Sequence, residues 1–235
     1  MHIMEGFLPS PWWELWWLIA LPPIVYGTWK MRRLSKAHPE AKPLLAIAGA
    51  FILVLSSLKL PSVTGSCSHP TGTGIAVVLF GPWIASVLSV IVLVFQAIFL
   101  AHGGFTTMGA NDFSMGIAGP MLGYLVWRVC KAAGMKGSIS MFLTAAVADL
   151  FTYVITGIQL ALVFQGAGGF IDSFLKFEAV YAVTQIPLAI GEGILSVFMF
   201  DFLVKYRSDL LKQIKSIAAS PGTVAPVLRV ETGQK

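Results

Sequence analysis

The sequence predicts an all-α membrane protein, a helical bundle of seven transmembrane segments with its amino terminus outside and its carboxyl terminus in the cytoplasm. Hydrophobic residues make up 56% of the 235 residues and charged residues only 11%, whereas soluble domains carry about 25% charged residues. The mean hydropathy is +0.79. Because Lys and Arg cluster between apolar runs, the net charge of +5 reports topology in a lipid bilayer rather than nucleic-acid binding. We therefore expect a multi-pass protein of the cell membrane.

The first span and the loop after it set the predicted orientation. The chain divides into an amino-terminal segment (1–11), a transmembrane bundle (12–204) and a basic cytoplasmic segment with a flexible tail (205–235). The first span, 12–29, opens on an aromatic girdle typical of a bilayer interface, and Pro22 and Pro23 are expected to kink it. The next loop holds a basic cluster, so it should be cytoplasmic and the amino terminus outside. The cluster comprises Lys30, Arg32, Arg33, Lys36 and Lys42.

The apolar run from Ile75 to Leu100 decides the number of spans. The second span, 43–60, returns the chain to the outside, and an exterior loop follows at 61–74. Gly81-Pro82 interrupts the run. Two crossings, at 70–81 and 84–101, place the later basic residues inside, whereas one crossing places them outside. These residues are Arg128, Lys131, Lys136, Lys205, Arg207, Lys212 and Lys215. The first of the two crossings is short against the ~20 residues that a span needs, so it should be shielded inside the bundle.

The last three spans are predicted at 113–129, 139–164 and 177–203, with exterior loops before the first and the last of them. A Gly-xxx-Gly spacing in the first of the three favours close approach of another helix. Asp149 and Glu192 fall inside spans, where a charge costs roughly 2.5–3.5 kcal/mol on insertion scales, so they should face partners or cavities. They are candidates for an ion path, for helix–helix or subunit contacts, or for the site of an intramembrane enzyme.

Three of the four histidines fall on the predicted outer side. His2 offers its ring Nδ1 and its backbone amide nitrogen beside the amine of Met1, a three-nitrogen chelator suited to Ni(II), Cu(II) or Co(II). His69 is the candidate for the fourth in-plane nitrogen. His102 ends a helix, where a cation is favoured anyway, so we expect it only to support the site.

Other residues are expected to support the site or to have ordinary structural roles. Asn111 and Asp112 are further candidates for the support of the site, and Asp112, like Glu5, is expected to be an exterior, solvated acid. Cys67 lies two residues from His69 and is interpreted as structural. His38 falls in the cytoplasmic loop, where a solvated histidine is unremarkable. The chelator requires an unblocked Met1, and no pattern of a cleaved signal peptide precedes the first span.

Common enzyme signatures are absent from the sequence. It contains no Gly-x-x-x-x-Gly-Lys-Ser/Thr phosphate loop, no His-Glu-x-x-His zinc motif and no Gly-x-Ser-x-Gly nucleophile elbow. ATP hydrolysis of the usual kind by this chain is therefore not expected.

Three stretches of the chain resemble the CbiM/NikM family, the substrate-capture (S) components of energy-coupling factor importers for cobalt and nickel. They are MHIMEG at 1–6, SVTGSCSHPTGTG at 62–74 and AHGGFTTMGAND at 101–112. The resemblance extends to about residue 204. It implies a seven-helix bundle whose exterior amino terminus is tucked into the fold. It also implies a metal held by the Met1 amine, the His2 amide, His2 Nδ1 and one loop histidine, which is His69 here.

The resemblance also implies partners for the chain. They are a transmembrane coupling (T) component, a pair of ATP-binding-cassette ATPases and often a small accessory membrane subunit. The transported ligand would be Co(II), with Ni(II) as the alternative, and no cofactor is expected. Two alternatives of another class remain, an intramembrane enzyme that uses Asp149 and Glu192, and a membrane scaffold.

Overall fold

The computed structural model describes residues 2–62 and 65–206, and these residues are mostly helical. Met1 and the predicted tail from 207 lie outside the described residues. The α-helices are α1 (Trp12–Ala37), α2 (Lys42–Ser56), α3 (Thr73–Phe80), α4 (Pro82–Leu100), α5 (Met108–Asp112), α6 (Gly119–Ala132), α7 (Gly137–Val163) and α8 (Gly169–Tyr206). A 3-10 turn (Pro39–Ala41) precedes α2, and a π-helical segment (Phe113–Ala118) joins α5 to α6. Two short antiparallel strands, β1 (Leu60–Pro61) and β2 (Cys67–Ser68), lie between α2 and α3.

Four helical segments of the described chain are long and apolar enough to cross a membrane. They are Pro39–Ser56, Pro82–Leu100, Gly137–Val163 and Gly169–Tyr206. Large apolar side chains on the outer surface of the bundle are exposed, including Val183 (76%) and Phe99 (70%). Such side chains are suited to contact with lipid. The multi-pass membrane architecture predicted from composition is therefore confirmed, while seven crossings and the orientation of the termini stay predictions.

Helix α3, which corresponds to the short third predicted span, is enclosed by other helices of the bundle. The turn predicted at Gly81-Pro82 is present, since α3 ends at Phe80, Gly81 follows with a φ of 82°, and α4 begins at Pro82. Eight helical residues rise about 12 Å, less than half of a hydrocarbon core about 30 Å thick. All eight residues of α3 are buried, and they contact α4, α6 and α7. The expected shielding of this segment by the bundle is thus confirmed.

Small residues let two helices approach α7 closely. A Cβ added at Gly123 of α6 would lie 2.9 Å from Ala148 Cβ, and one added at Gly119 would lie 2.8 Å from the Ala148 carbonyl oxygen. A Cβ added at Gly74 of α3 would lie 2.8 Å from the Ala145 Cα. The Gly-xxx-Gly pattern therefore does bring another helix close, and that helix is α7.

The amino-terminal segment lies inside the fold. Ile3 and Leu8 are buried, and Ile3 forms an isolated antiparallel bridge with Ser66. The Met4 amide donates a hydrogen bond of 2.9 Å to the Gly65 carbonyl. This places the segment against the loop that carries His69, as the family resemblance implies.

Candidate metal centre

His2 and His69 meet directly in the interior of the protein. His2 Nδ1 lies 2.6 Å from His69 Nε2, and both side chains are fully buried. Two nitrogens bound at right angles to one ion, each about 2.0–2.1 Å from it, are about 2.8–3.0 Å apart. The observed separation is close to that value, so small movements of the rings would admit an ion between them. Burial lowers the pKa of both imidazoles well below its usual value, which keeps them in the neutral form that binds metal.

The loop around His69 fixes which ring nitrogen faces the site. His69 Nδ1 lies 2.8 Å from the Pro70 carbonyl oxygen. A carbonyl can only accept, so Nδ1 carries the hydrogen and Nε2 is left with its lone pair for a ligand. From α7, the Tyr153 hydroxyl accepts from the His69 amide (2.7 Å) and donates to the His69 carbonyl (3.0 Å). The backbone of the ligand residue is therefore held by a side chain 84 positions away.

His2 is positioned through its neighbour Ile3. The Asn111 carboxamide of α5 accepts from the Ile3 amide (2.7 Å) and donates to the Ile3 carbonyl (3.0 Å). Thr107 Oγ1 donates to the same carbonyl at 2.8 Å. Gly103, with a φ of 73°, leaves room for the His2 ring, since a Cβ there would lie 2.9 Å from His2 Cδ2. Asn111 thus contacts the backbone beside a candidate ligand, as a supporting residue must.

His102 and Cys67 lie within the same cluster. The His102 ring packs against the His2 ring with centroids 4.0 Å apart and planes tilted by 35°. Cys67 Sγ lies 3.0 Å from His102 Nε2. One candidate ligand atom from each of His2, Cys67, His69 and His102 lies within 4.8 Å of the others, and all four residues are buried. Burial also lowers the pKa of His102 to about 3.

The structure brings Cys67 and His102 together with both candidate ligands. The sequence predicts a structural role for Cys67 and a supporting role for His102, and in the structure both also offer potential ligand atoms within the cluster. The position of Cys67, two residues from His69 in a loop on the same predicted side, was the available signal.

Asp112 departs from its predicted environment. Its side chain is fully buried in α5, so the expectation of a solvated exterior acid is wrong. A Cβ added at Gly116 would lie 2.1 Å from an Asp112 carboxylate oxygen and 2.8 Å from Ser89 Cβ, which places the carboxyl group between helices. Glu5, the other predicted exterior acid, is exposed, and its carboxylate accepts from the Thr106 amide at 3.1 Å.

The two intramembrane acids hold the loop that follows His69. Glu192 of α8 accepts from the Thr71 amide and, at 3.0 Å, from Thr71 Oγ1. Asp149 of α7 accepts from Gln185 Nε2, which lies 3.4 Å from the His69 carbonyl oxygen. The prediction that these acids face partners inside the bundle is confirmed. Their observed contacts favour a structural role beside the candidate metal centre over the catalytic alternative.

Comparison with known proteins decides the family. The profile of CbiM, described as the cobalt uptake substrate-specific transmembrane region, matches residues 2–210. The chain belongs to the CbiM family. A putative cobalt transport protein CbiM 1 of Methanosphaerula palustris is 57% identical over 212 residues, which cover 90% of this chain and 92% of the relative. A cobalt transport protein CbiM of Nostoc sp. is 56% identical over 218 residues, which cover 92% of this chain and 84% of the relative.

Two solved structures share the fold of this chain. A crystal structure of a transition metal transporter superposes with a TM-score of 0.77 at 21% identity, covering 93% of this chain and 98% of the other. A truncated transition metal transporter gives a TM-score of 0.76 at 22% identity, covering 88% and 99%. At this identity the likeness concerns the fold alone. The membership of the chain in the CbiM family rests on the sequence matches.

Proposed function

We propose that this chain captures Co(II) outside the cell and passes it inward, as the substrate-binding subunit of an ATP-driven importer of the energy-coupling factor type. The observation that carries the proposal is the meeting of His2 Nδ1 and His69 Nε2 at 2.6 Å in a fully buried site. Membership of a cobalt-uptake family and the similarity to cobalt transport proteins support cobalt as the substrate, with nickel as the alternative.

The proposed ligands form a plane of four nitrogens. The Met1 amine, the His2 amide nitrogen and His2 Nδ1 form two fused chelate rings, and His69 Nε2 fills the remaining position. Met1 lies outside the described residues, so its amine belongs to the proposal alone. Amide, amine and imidazole donors suit a tetragonal ion, and copper should therefore also bind in vitro by the Irving–Williams order. All of these donors must lose or lack a proton, so affinity should fall in acid.

The energy for transport must come from partners under this proposal. The sequence has no phosphate loop that would bind ATP. We therefore propose association with a transmembrane coupling component and a pair of ATP-binding-cassette ATPases, with a small accessory membrane subunit as a further partner. ATP hydrolysis by these partners would reorient the chain and release the metal inward.

Uptake of radioactive cobalt by cells that express the chain together with a coupling component and an ATPase pair tests the proposal. We expect uptake with the native chain, loss in His69→Ala, and normal uptake in His38→Ala. His38 is a matched control because it lies at the other end of α1, where its Nδ1 contacts Glu40 at 3.1 Å. Undiminished uptake in His69→Ala, at equal protein levels in the membrane, would contradict the proposed site.

A further inference from the structure

The position of the Cys67 sulfur relative to His2 and His69 carries a further inference, which rests on the proposed function. In a planar chelate the His2 ring lies close to the plane of the metal and its nitrogens, because Nδ1 and the backbone amide close one ring. The His102 ring covers a face of the His2 ring, with centroids 4.0 Å apart. His102 therefore lies over the plane of the chelate rather than in it.

Cys67 contacts His102 directly. Its Sγ is 3.0 Å from His102 Nε2 and within 4.8 Å of one ring nitrogen each of His2 and His69. A sulfur at about 2.3 Å and a nitrogen at about 2.0 Å from one ion, bound at right angles, are about 3.0 Å apart. The observed separations are at most 4.8 Å, so the sulfur would have to move by less than about 2 Å to reach that distance from a ligand nitrogen. We propose that Cys67 binds the captured ion through its sulfur, outside the four-nitrogen plane, and that this bond favours Co(II) over Ni(II).

His102 is a positioning residue in this arrangement. Its ring is 1% exposed, and its Nε2, 3.0 Å from Cys67 Sγ, can donate a hydrogen bond to the sulfur. Metal binding displaces the thiol proton, because the thiolate is the form that binds metal. A hydrogen bond from a buried neighbour both orients such a ligand and stabilises its charge.

The selectivity follows from the d-electron count of the two ions. A strong planar nitrogen field leaves Ni(II), with eight d electrons, four-coordinate, because a ligand above the plane meets a filled orbital. Co(II) has seven d electrons and only a single electron in that orbital, so it gains a bond from a fifth donor. A sulfur held above the plane therefore adds affinity for Co(II) and little for Ni(II).

Spectroscopy of the purified, metal-loaded protein tests the sulfur contact. We expect Co(II)-loaded native protein to show a near-ultraviolet sulfur-to-cobalt charge-transfer band that is absent in Cys67→Ser. Cys130→Ser is the matched control, since Cys130 is the other cysteine, is buried in α6 and lies outside the cluster. In a competition between equal concentrations of Co(II) and Ni(II), the bound Co:Ni ratio should fall at least about tenfold in Cys67→Ser, as for loss of a close metal contact.

The outcomes separate this inference from the proposed function. Nickel retained by Cys67→Ser shows that the variant is folded and that the nitrogen plane is intact. Native protein that holds cobalt without the band, or an unchanged Co:Ni ratio in Cys67→Ser, would overturn the sulfur contact and leave metal capture standing. Native protein that holds neither metal would overturn the proposed function as well.

Discussion

Replacing Tyr153 by Phe tests whether the buried framework sets the affinity of the metal centre. The Tyr153 hydroxyl makes two hydrogen bonds to the His69 backbone, at 2.7 and 3.0 Å. After the substitution the His69 carbonyl keeps only the longer bond of 3.4 Å from Gln185, and the His69 amide loses this buried acceptor. A buried polar group without a partner costs about 1–3 kcal/mol.

That cost converts into an affinity change if the loop relaxes away from its ligand geometry. A loss of about 1–3 kcal/mol weakens metal binding roughly 5- to 150-fold. The assay is a Co(II) titration of detergent-purified protein against a competing chelator. Tyr124→Phe is the control, because its hydroxyl accepts from Arg128 of the same helix at 3.1 Å. An unchanged Kd in Tyr153→Phe, with an unchanged Tm of the metal-free protein, would refute this reasoning.

Three further predictions concern groups around the site. Asn111→Leu removes both hydrogen bonds to the Ile3 backbone and should weaken Co(II) binding about 10- to 100-fold in the same titration. A wild-type Kd in this variant would show that these two hydrogen bonds do not contribute to metal affinity. Glu192→Leu should lower metal occupancy, measured by mass spectrometry, whereas Glu192→Gln keeps an acceptor for Thr71 and should retain most of it; equal losses would favour a role for the charge itself. The pKa of His102 is about 3 in the folded protein and 6.5 in the unfolded chain. Below pH 6.5 the unfolded chain binds the proton more readily, so the contribution of His102 to the free energy of unfolding is full above pH 6.5 and is lost as the pH falls toward 3. The Tm of the metal-free protein should therefore fall between pH 7.5 and 5, with a shallower fall in His102→Gln, and parallel slopes would contradict this assignment.

The multi-pass helical architecture and the turn between α3 and α4 could be predicted from the sequence because they depend on local signals. Charge placement and the Gly81-Pro82 break located the turn between α3 and α4. The same topology placed His2, His69 and His102 on one side, and the structure brings all three together. These inferences needed only the positions of charges and helix breakers along the chain.

The supporting contacts could not be predicted, because they depend on helix rotation and on distant positions. α7 and α8 are apolar on most sides, so their patterns do not indicate that Tyr153, Gln185 and Glu192 face the His69 loop. These contacts join residues 84 to 121 positions apart. The burial of Asp112 could not be predicted either. The Gly-rich stretch before Asp112 indicates a loop, whereas in the structure α5 begins at Met108.

The most direct test of the proposed four-nitrogen chelate compares the metal content of two purified proteins after loading with Co(II) or Ni(II). One begins at Met1, and the other carries two extra residues before it, with every side chain of the chain retained. We expect about one metal per native protein and none in the extended form, because only the native form offers the Met1 amine beside His2 and His69. Equal metal content in the two proteins would contradict the four-nitrogen chelate.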